Sequence, residues 1–230
     1  NAAHGSVGAF MILPLLDAHT LTGEQKYADC ALKAFAFYYG EFAKNGFTTA
    51  GALDSYCIDK ESAAPLLRAA LECYHLTRDR AYVDAAEEVA YYLATWQWHY
   101  SVCFPEDSMA KKIGYDTYGG TSVSAAHNAQ DPYGLYYVPE YLELAQLTGK
   151  DIWLKRARAL WYNGIQLISD GTLVIHNRVR PAGSQDESVR HTRWGRPDKR
   201  IFVSSEWLVN WPGTFRQVAL DRIESWDALR

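Results

Sequence analysis

Leu142-Glu143-Leu144-Ala145-Gln146-Leu147-Thr148-Gly149-Lys150-Asp151-Ile152-Trp153 carries the pattern that decides the fold. Apolar residues at helical spacing run into Leu147, break at Thr148-Gly149, and resume with an aromatic. The same arrangement occurs twice earlier, around Leu21-Thr22-Gly23 and Leu76-Thr77-Arg78. Six residues after each leading Leu stands an aromatic (Tyr27, Tyr82, Trp153), and ten after it an Ala (Ala31, Ala86, Ala157). Five before it lies another Leu (Leu16, Leu71, Leu142), and four before it an acid (Asp17, Glu72, Glu143). Agreement at this many offsets in three copies marks an internal repeat.

The repeat has a direct physical reading. A helix closes near the Leu, the chain turns within a few residues, and a second helix returns beside the first as an αα-hairpin. Thr22 is expected to cap the second helix, with Gln25 completing a capping box. The aromatic and the Ala then belong to the core face, where the small Ala lets two helices approach. Predicted helices span 6–20 and 23–44, 60–76 and 79–98, and 132–147 and 150–169, which makes the chain all-α. Strand signals are nearly absent before residue 171. Beyond it, 172–176 reads as a short strand and 176–200 as a polar loop. Helix resumes at 204–211 and 213–223, with Pro212 at a kink or at the first helical position.

Composition bounds the alternatives. The 230 residues are 48% hydrophobic and 22% charged, an ordinary globular balance with enough chain to bury a core. A net charge of −4 gives no overall pull toward nucleic acid or an anionic membrane, and no apolar run is long enough to span a bilayer. Val7 to Leu16 lacks the basic flank of a signal peptide, so the compartment is unread. The four Cys show no metal-ligand spacing, and Cys30 and Cys73 read as buried free thiols. No metal or cofactor is expected. G-x-S-x-G, HExxH, a GxGxxG after a strand and DxDxDG are all absent.

The connections between hairpins, 45–59 and 99–131, are long and rich in Gly, Ser, Thr, Tyr and Asp, so a site is expected on that face. The first holds Asp54 and Asp59, with Asp59 also suited to cap the next helix. The second holds Asp116 and Tyr118 beside Gly119-Gly120, which can bring backbone close to a ligand. His127, Asn128, Gln130 and Asp131 follow, with Asp131-Pro132 reading as a helix cap and first helical residue. The stretch 176–200 has seven basic residues against three acids, and its Arg180 and Arg190 can clamp a carboxylate or sulfate. Gln185, Glu187 and Trp194 complete the set. Among the aromatics, Tyr27, Tyr82, Tyr91, Trp153 and Trp161 fall at core spacing. Trp96, Trp98, Tyr100, Tyr115, Tyr118, Tyr133 and Trp194 lie in or beside the loops. Aromatic faces with Asp, Asn, Gln and His are what a carbohydrate site needs.

The hairpin repeat, with the strings Ser124 to Gly134, Arg180 to Glu187 and Glu206 to Arg216, resembles the α/α six-hairpin glycosidase superfamily. The resemblance covers most of the chain. It implies αα-hairpins forming part of an (α/α) barrel, followed by an irregular, strand-containing region after residue 170. It further implies a loop-rimmed cleft with acid/base carboxylates or His, acting on an oligo- or polysaccharide. The basic loop adds the expectation of a uronic-acid substrate. In that reading Asp131 or Asp59 is the base, His127 a proton carrier or hydroxyl binder, and Arg180 with Arg190 the clamp. Asp54, Asp116, Tyr118, Asn128, Gln130, Gln185, Glu187 and Trp194 bind substrate. Three hairpins fall short of six, so residues 1–230 are expected to be one domain forming the C-terminal part of a larger barrel, or one copy of an oligomer. A sugar epimerase or polysaccharide lyase on the same toroid, and a peptide-binding helical scaffold, are the alternatives.

Overall fold

The computed structural model describes residues 6–49, 57–191, 202–205 and 208–230. Helices α1 (Ile12–Thr22) and α2 (Gln25–Asn45) form the first hairpin, and α3 (Ala63–Thr77) with α4 (Ala81–Thr95) the second. A one-turn α5 (Met109–Lys112) lies in the long loop that follows. The third repeat turn joins α6 (Val138–Thr148) to α7 (Asp151–Gly164), and α8 (Trp211–Arg222) closes the helical part. The hairpins expected from the repeat are all present. The first helix is shorter than expected because Val7–Met11 is a 3-10 turn, and Pro132–Tyr137 is likewise 3-10 before α6 begins.

Strands depart from expectation. Among the described residues eight of them, each two or three residues long, tie the loops: β1 (Thr48–Thr49), β2 (Ile58–Asp59), β3 (Thr121–Ser122), β4 (Ala129–Asp131), β5 (Val174–Ile175), β6 (Arg178–Val179), β7 (Val189–Arg190) and β8 (Val203–Ser204). The first four precede residue 171, where no strand was expected. Two residues cannot display the alternation by which strands are recognised. The helix expected over 204–211 is not formed at its described positions. Ser204 belongs to β8, Leu208 bridges Asp186, and the helix starts at Trp211 with Pro212 in its first turn.

The three repeat turns are built identically. In each, the Thr hydroxyl donates to the carbonyl four residues back: Thr22 to Ala18 at 2.7 Å, Thr77 to Cys73 at 2.8 Å, and Thr148 to Leu144 at 2.6 Å. The same hydroxyl accepts the backbone N–H two residues ahead at 3.2 Å in every case. The next residue is left-handed, with φ of 71° at Gly23, 62° at Arg78 and 70° at Gly149. The Thr therefore ends the first helix and does not cap the second. Gln25 bonds Asp29 at 3.0 Å, so no capping box forms.

The chain divides into two compact units. The first comprises 1–96 with 124–126 and 143–150. Its core is the face of α3 and α4, where Leu66, Leu67, Leu71, Val83, Val89 and Leu93 are almost entirely buried. Of the repeat positions, Ala31 and Ala86 are fully buried and Leu16 and Leu71 nearly so, whereas the turn residue Leu21 is 84% exposed. The turn Leu thus marks the hairpin without filling the core. Arg80 donates from both terminal nitrogens to the Leu147 carbonyl at 3.3 Å, placing a cation at the end of α6. Tyr91 is exposed, not core, and Cys30 is exposed while Cys73 is buried. None of the four cysteines is in a disulfide.

The second unit comprises 97–123, 127–142 and 151–230. Trp153 is fully buried with its ring 5.3 Å from that of Tyr141, and Ala157 is fully buried beside it in sequence register. The 3-10 segment 132–137 and α7 interlock: a Cβ on Gly134 would lie 2.4 Å from Leu160, and one on Gly164 would lie 2.5 Å from Leu135. Each leucine occupies the space its opposing glycine leaves. Tyr133, Tyr136, Trp211 and Phe215 form an aromatic cluster holding α8, with centroids 4.9 to 6.4 Å apart. A satellite core of Phe104, Ala110, Tyr115, Val189 and Phe202 gives the long loop its own anchor.

The second turn is the one copy without Gly at its left-handed position, which costs an L-residue about 1–2 kcal/mol. Arg78→Gly is expected to raise the melting temperature by about 2–4 °C. Gly23→Arg or Gly149→Arg should lower it by a similar amount, measured by thermal unfolding.

Candidate active site

The expected site residues of the second unit gather on a four-stranded antiparallel sheet of order β3-β4-β7-β8. Thr121 faces Asp131, Gln130 faces Val189, Ala129 faces Arg190, and Val189 faces Ser204. This arrangement places Ala129-Gln130-Asp131 on a central strand, between the second long loop and the segment after residue 185.

Asp131 is 6% exposed. Its Oδ1 accepts from the Thr121 hydroxyl at 2.9 Å and from the Tyr133 N–H at 3.2 Å, so it caps the 3-10 helix that Pro132 opens. Gln130 is 2% exposed, and its Oε1 accepts from the Tyr115 hydroxyl at 2.9 Å. Burial holds the Tyr115 phenol far above its ordinary pKa, helped by the charges of Asp131 and Asp116, so it stays a donor. Gln185 gives its amide to the carbonyls of Gly164 and Gln166, both at 2.7 Å, and closes the end of α7. Its oxygen accepts from Arg216 at 3.3 Å. Gln130, Asp131 and Gln185 line one small polar cleft of about 20 Å³ with Asn163, Gln166 and Asp186.

Asp186 is the residue that sequence reasoning passes over. Its Oδ2 accepts from Arg180 at 2.9 Å and from the Ser204 hydroxyl. Both members of the ion pair are buried. In this pair the charge of Arg180 is matched by Asp186 six residues on, and the guanidinium holds a protein carboxylate. The signal was present as an Arg and an Asp either side of a Pro-Ala-Gly turn. Charge counting alone does not show that they meet.

The remaining expected residues sit elsewhere. Asn128, just ahead of β4, accepts from Arg190 of β7 at 3.1 Å, so two of the expected binders meet. His127 is half-buried in the loop before β4. Asp116 is exposed and accepts from the Tyr118 N–H at 2.9 Å. Glu187 accepts from the Trp211 indole at 3.0 Å. Asp59 belongs to the first unit, where it is fully buried in β2 and accepts from the Ser62 N–H at 3.1 Å. It lies ahead of α3 as a cap-like acceptor, although the helix starts at Ala63 and not at 60. Asp54, Trp194, Glu206 and Trp207 lie outside the described residues.

Tyr118 lines a second, larger cleft of about 170 Å³ with Trp98, Gln97, His99, Lys155 and Arg156. Tyr118 is 47% exposed, and the Trp98 indole donates to Ser122 at 2.8 Å, which fixes the ring. The His191 ring lies 5.2 Å from Trp98. Gly119 packs directly on α7. A Cβ on Gly119, whose φ is 84°, would lie 2.1 Å from the Ala159 carbonyl oxygen of α7. Among the described residues no group of three or more His, Cys, Asp and Glu is placed to hold a metal ion, and no helix is long and apolar enough to cross a membrane.

Two outcomes follow from this geometry. Gly119→Ala meets both the left-handed torsion and a backbone oxygen, and is expected to lose about 3 kcal/mol or more in denaturant unfolding. Burial lowers the pKa of His191, more than its bond to Ala129 raises it. As pH falls below about 6.5 the unfolded chain takes up a proton that the folded His191 refuses, so stability drops. His191→Gln should flatten that part of the stability profile, compared between pH 7 and pH 5.

No protein-family model matches the chain, and no curated protein resembles it in sequence. Solved structures do resemble it. One is an inactive variant, with two adjacent aspartates replaced by alanine, of the GH76A alpha-1,6-mannanase of Salegentibacter sp. HEL1_6 in complex with alpha-1,6-mannotetrose. The match has a TM-score of 0.63 at 14% identity and covers 94% of this chain and 53% of that one. A second is a GH76 alpha-mannanase of Bacteroides thetaiotaomicron, at TM-score 0.49 and 15% identity, covering 94% of this chain and 68% of that one. The chain therefore spans about half the length of the Salegentibacter enzyme. The likeness to the Salegentibacter enzyme shows the fold alone, the helical fold in which this chain's αα-hairpin repeats are set.

Proposed function

We propose that the chain is part of a glycoside hydrolase acting on an oligo- or polysaccharide at the end of the second unit where β3, β4, β7 and β8 meet. The observation carrying this reading is the convergence of Gln130, Asp131, Gln185 and Asp186 on one polar cleft, in a fold shared with a mannanase. Trp98 and Tyr118 supply flat faces on which sugar C–H faces stack, and Lys155 offers a hydroxyl partner beside them. Asp131 is preferred to Asp59 as the base because it lines a cleft with other polar side chains. His127 serves as proton carrier or hydroxyl binder. With Arg180 matched by Asp186, recognition of a uronate would fall to Arg190 and the basic residues beyond it. The remaining catalytic groups belong to whatever completes the barrel, whether further chain or a second copy.

The test is turnover of alpha-1,6-mannan oligosaccharides and of glucuronide oligosaccharides, with products followed by NMR. New reducing ends are expected, whereas an epimerase would release none. Asp131→Asn keeps the cap and removes the charge, so it should lower turnover about 100-fold or more with the fold retained. Unchanged turnover would remove Asp131 from the mechanism.

A further inference from the structure

The cleft beside β4 leaves a buried donor and a buried acceptor without partners among the described residues. Gln130 Nε2 and Asp186 Oδ1 are both buried and have no hydrogen-bond partner among the described residues. The two residues are 2% and 5% exposed. One atom is a donor and the other an acceptor, and both residues line the same cavity of about 20 Å³. Leaving either unsatisfied is costly, so the fold gains if one small group serves both. A single water needs roughly 10–15 Å³ of such space. Asp186 cannot turn its free oxygen elsewhere, because Arg180 and Ser204 hold the other one. Gln130 is oriented in the same way by Tyr115.

We propose that Gln130 and Asp186 form a buried site for one hydroxyl group, filled by water in the free protein and by a sugar hydroxyl when substrate binds. The occupant must accept from the Gln130 amide and donate to the Asp186 carboxylate. A hydroxyl does both. A carboxylate only accepts and would face Asp186 as a like charge, and an ammonium only donates, so the site selects a neutral hydroxyl-bearing unit. The sugar half of this proposal rests on the glycosidase reading, but the donor–acceptor pair does not.

Other ionisable groups around the pair are Arg180, bonded to Asp186, and Asp131 and Tyr115 at the cleft wall. Gln130→Glu keeps the acceptor for Tyr115 and replaces the amide donor with an oxygen. Protonated, the new carboxyl can still donate into the cavity. Ionised, it opposes Asp186. Its pKa in the folded state is therefore raised, and its stability is lost as pH rises. The melting temperature of Gln130→Glu should match that of the parent near pH 4.5 and fall about 5 °C or more below it at pH 8. Parallel profiles would overturn the pairing. Independently, a crystal structure of the unaltered chain should show a water within about 3.2 Å of both atoms. An empty cavity, or the two atoms bonded to protein groups instead, overturns the site. Crystals soaked in alpha-1,6-mannotetrose separate the two occupants. A sugar hydroxyl replacing the water supports the full proposal, and a retained water overturns the sugar as occupant while the pair stands. Absence of glycosidase turnover would overturn the functional reading without altering any of these structural results.

Discussion

A left-handed residue two positions after a leucine, repeated three times, is the constraint on which the helical architecture depends. The helix cannot continue through it, and the N–H of that residue closes back onto the carbonyl four before, at 2.8 Å in Gly23, 2.7 Å in Arg78 and 2.9 Å in Gly149. The preceding Thr adds two more bonds to the same turn. With so few residues between helices, the second must return alongside the first, and side chains at matching offsets must meet. The buried alanines of the first two hairpins follow from that geometry: close antiparallel helices leave little room for a larger side chain at Ala31 or Ala86.

The other end of each hairpin is organised by different forces. Short strands replace the missing helix ladder, and buried polar contacts replace much of the apolar core. Arg180, Asp186 and Ser204 form one such contact, and Gln185 on the α7 carbonyls another. A buried ion pair is costly to desolvate and contributes chiefly through what its loss would expose. Here it fixes a carboxylate that would otherwise be free to reorient, which is the property a recognition site requires. Phe104, Tyr115 and Phe202 perform the corresponding apolar task for the long loop.

The sequence made the hairpins legible because helical periodicity and a recurring turn are both local signals. Helix ends were misjudged where 3-10 turns intervene, at Val7–Met11 and Pro132–Tyr137, since the two helix types share apolar spacing over so few residues. Thr22 is ambiguous in the sequence because a hydroxyl can cap the helix ahead or close the helix behind, and only the left-handed residue after it decides. In the site, Asp131-Pro132 was readable as a cap from its dipeptide alone. The Arg180–Asp186 pair was hidden, because two opposite charges on a polar loop give no sign that the loop folds back to bury them. Gly119 is similar: the residue type announces close approach but not that the α7 backbone is what approaches.

The reciprocal fit of Gly134 with Leu160 and of Leu135 with Gly164 carries a consequence for how this chain can change over time. Neither leucine can be lost without a void, and neither glycine can gain a side chain without a collision. Substitutions at these positions are therefore tolerated only in matched pairs, exchanging bulk across the contact. Among related chains, positions 134 and 160 should drift together, as should 135 and 164, tracing the packing of the 3-10 segment on α7 through sequences too divergent to align by residue type.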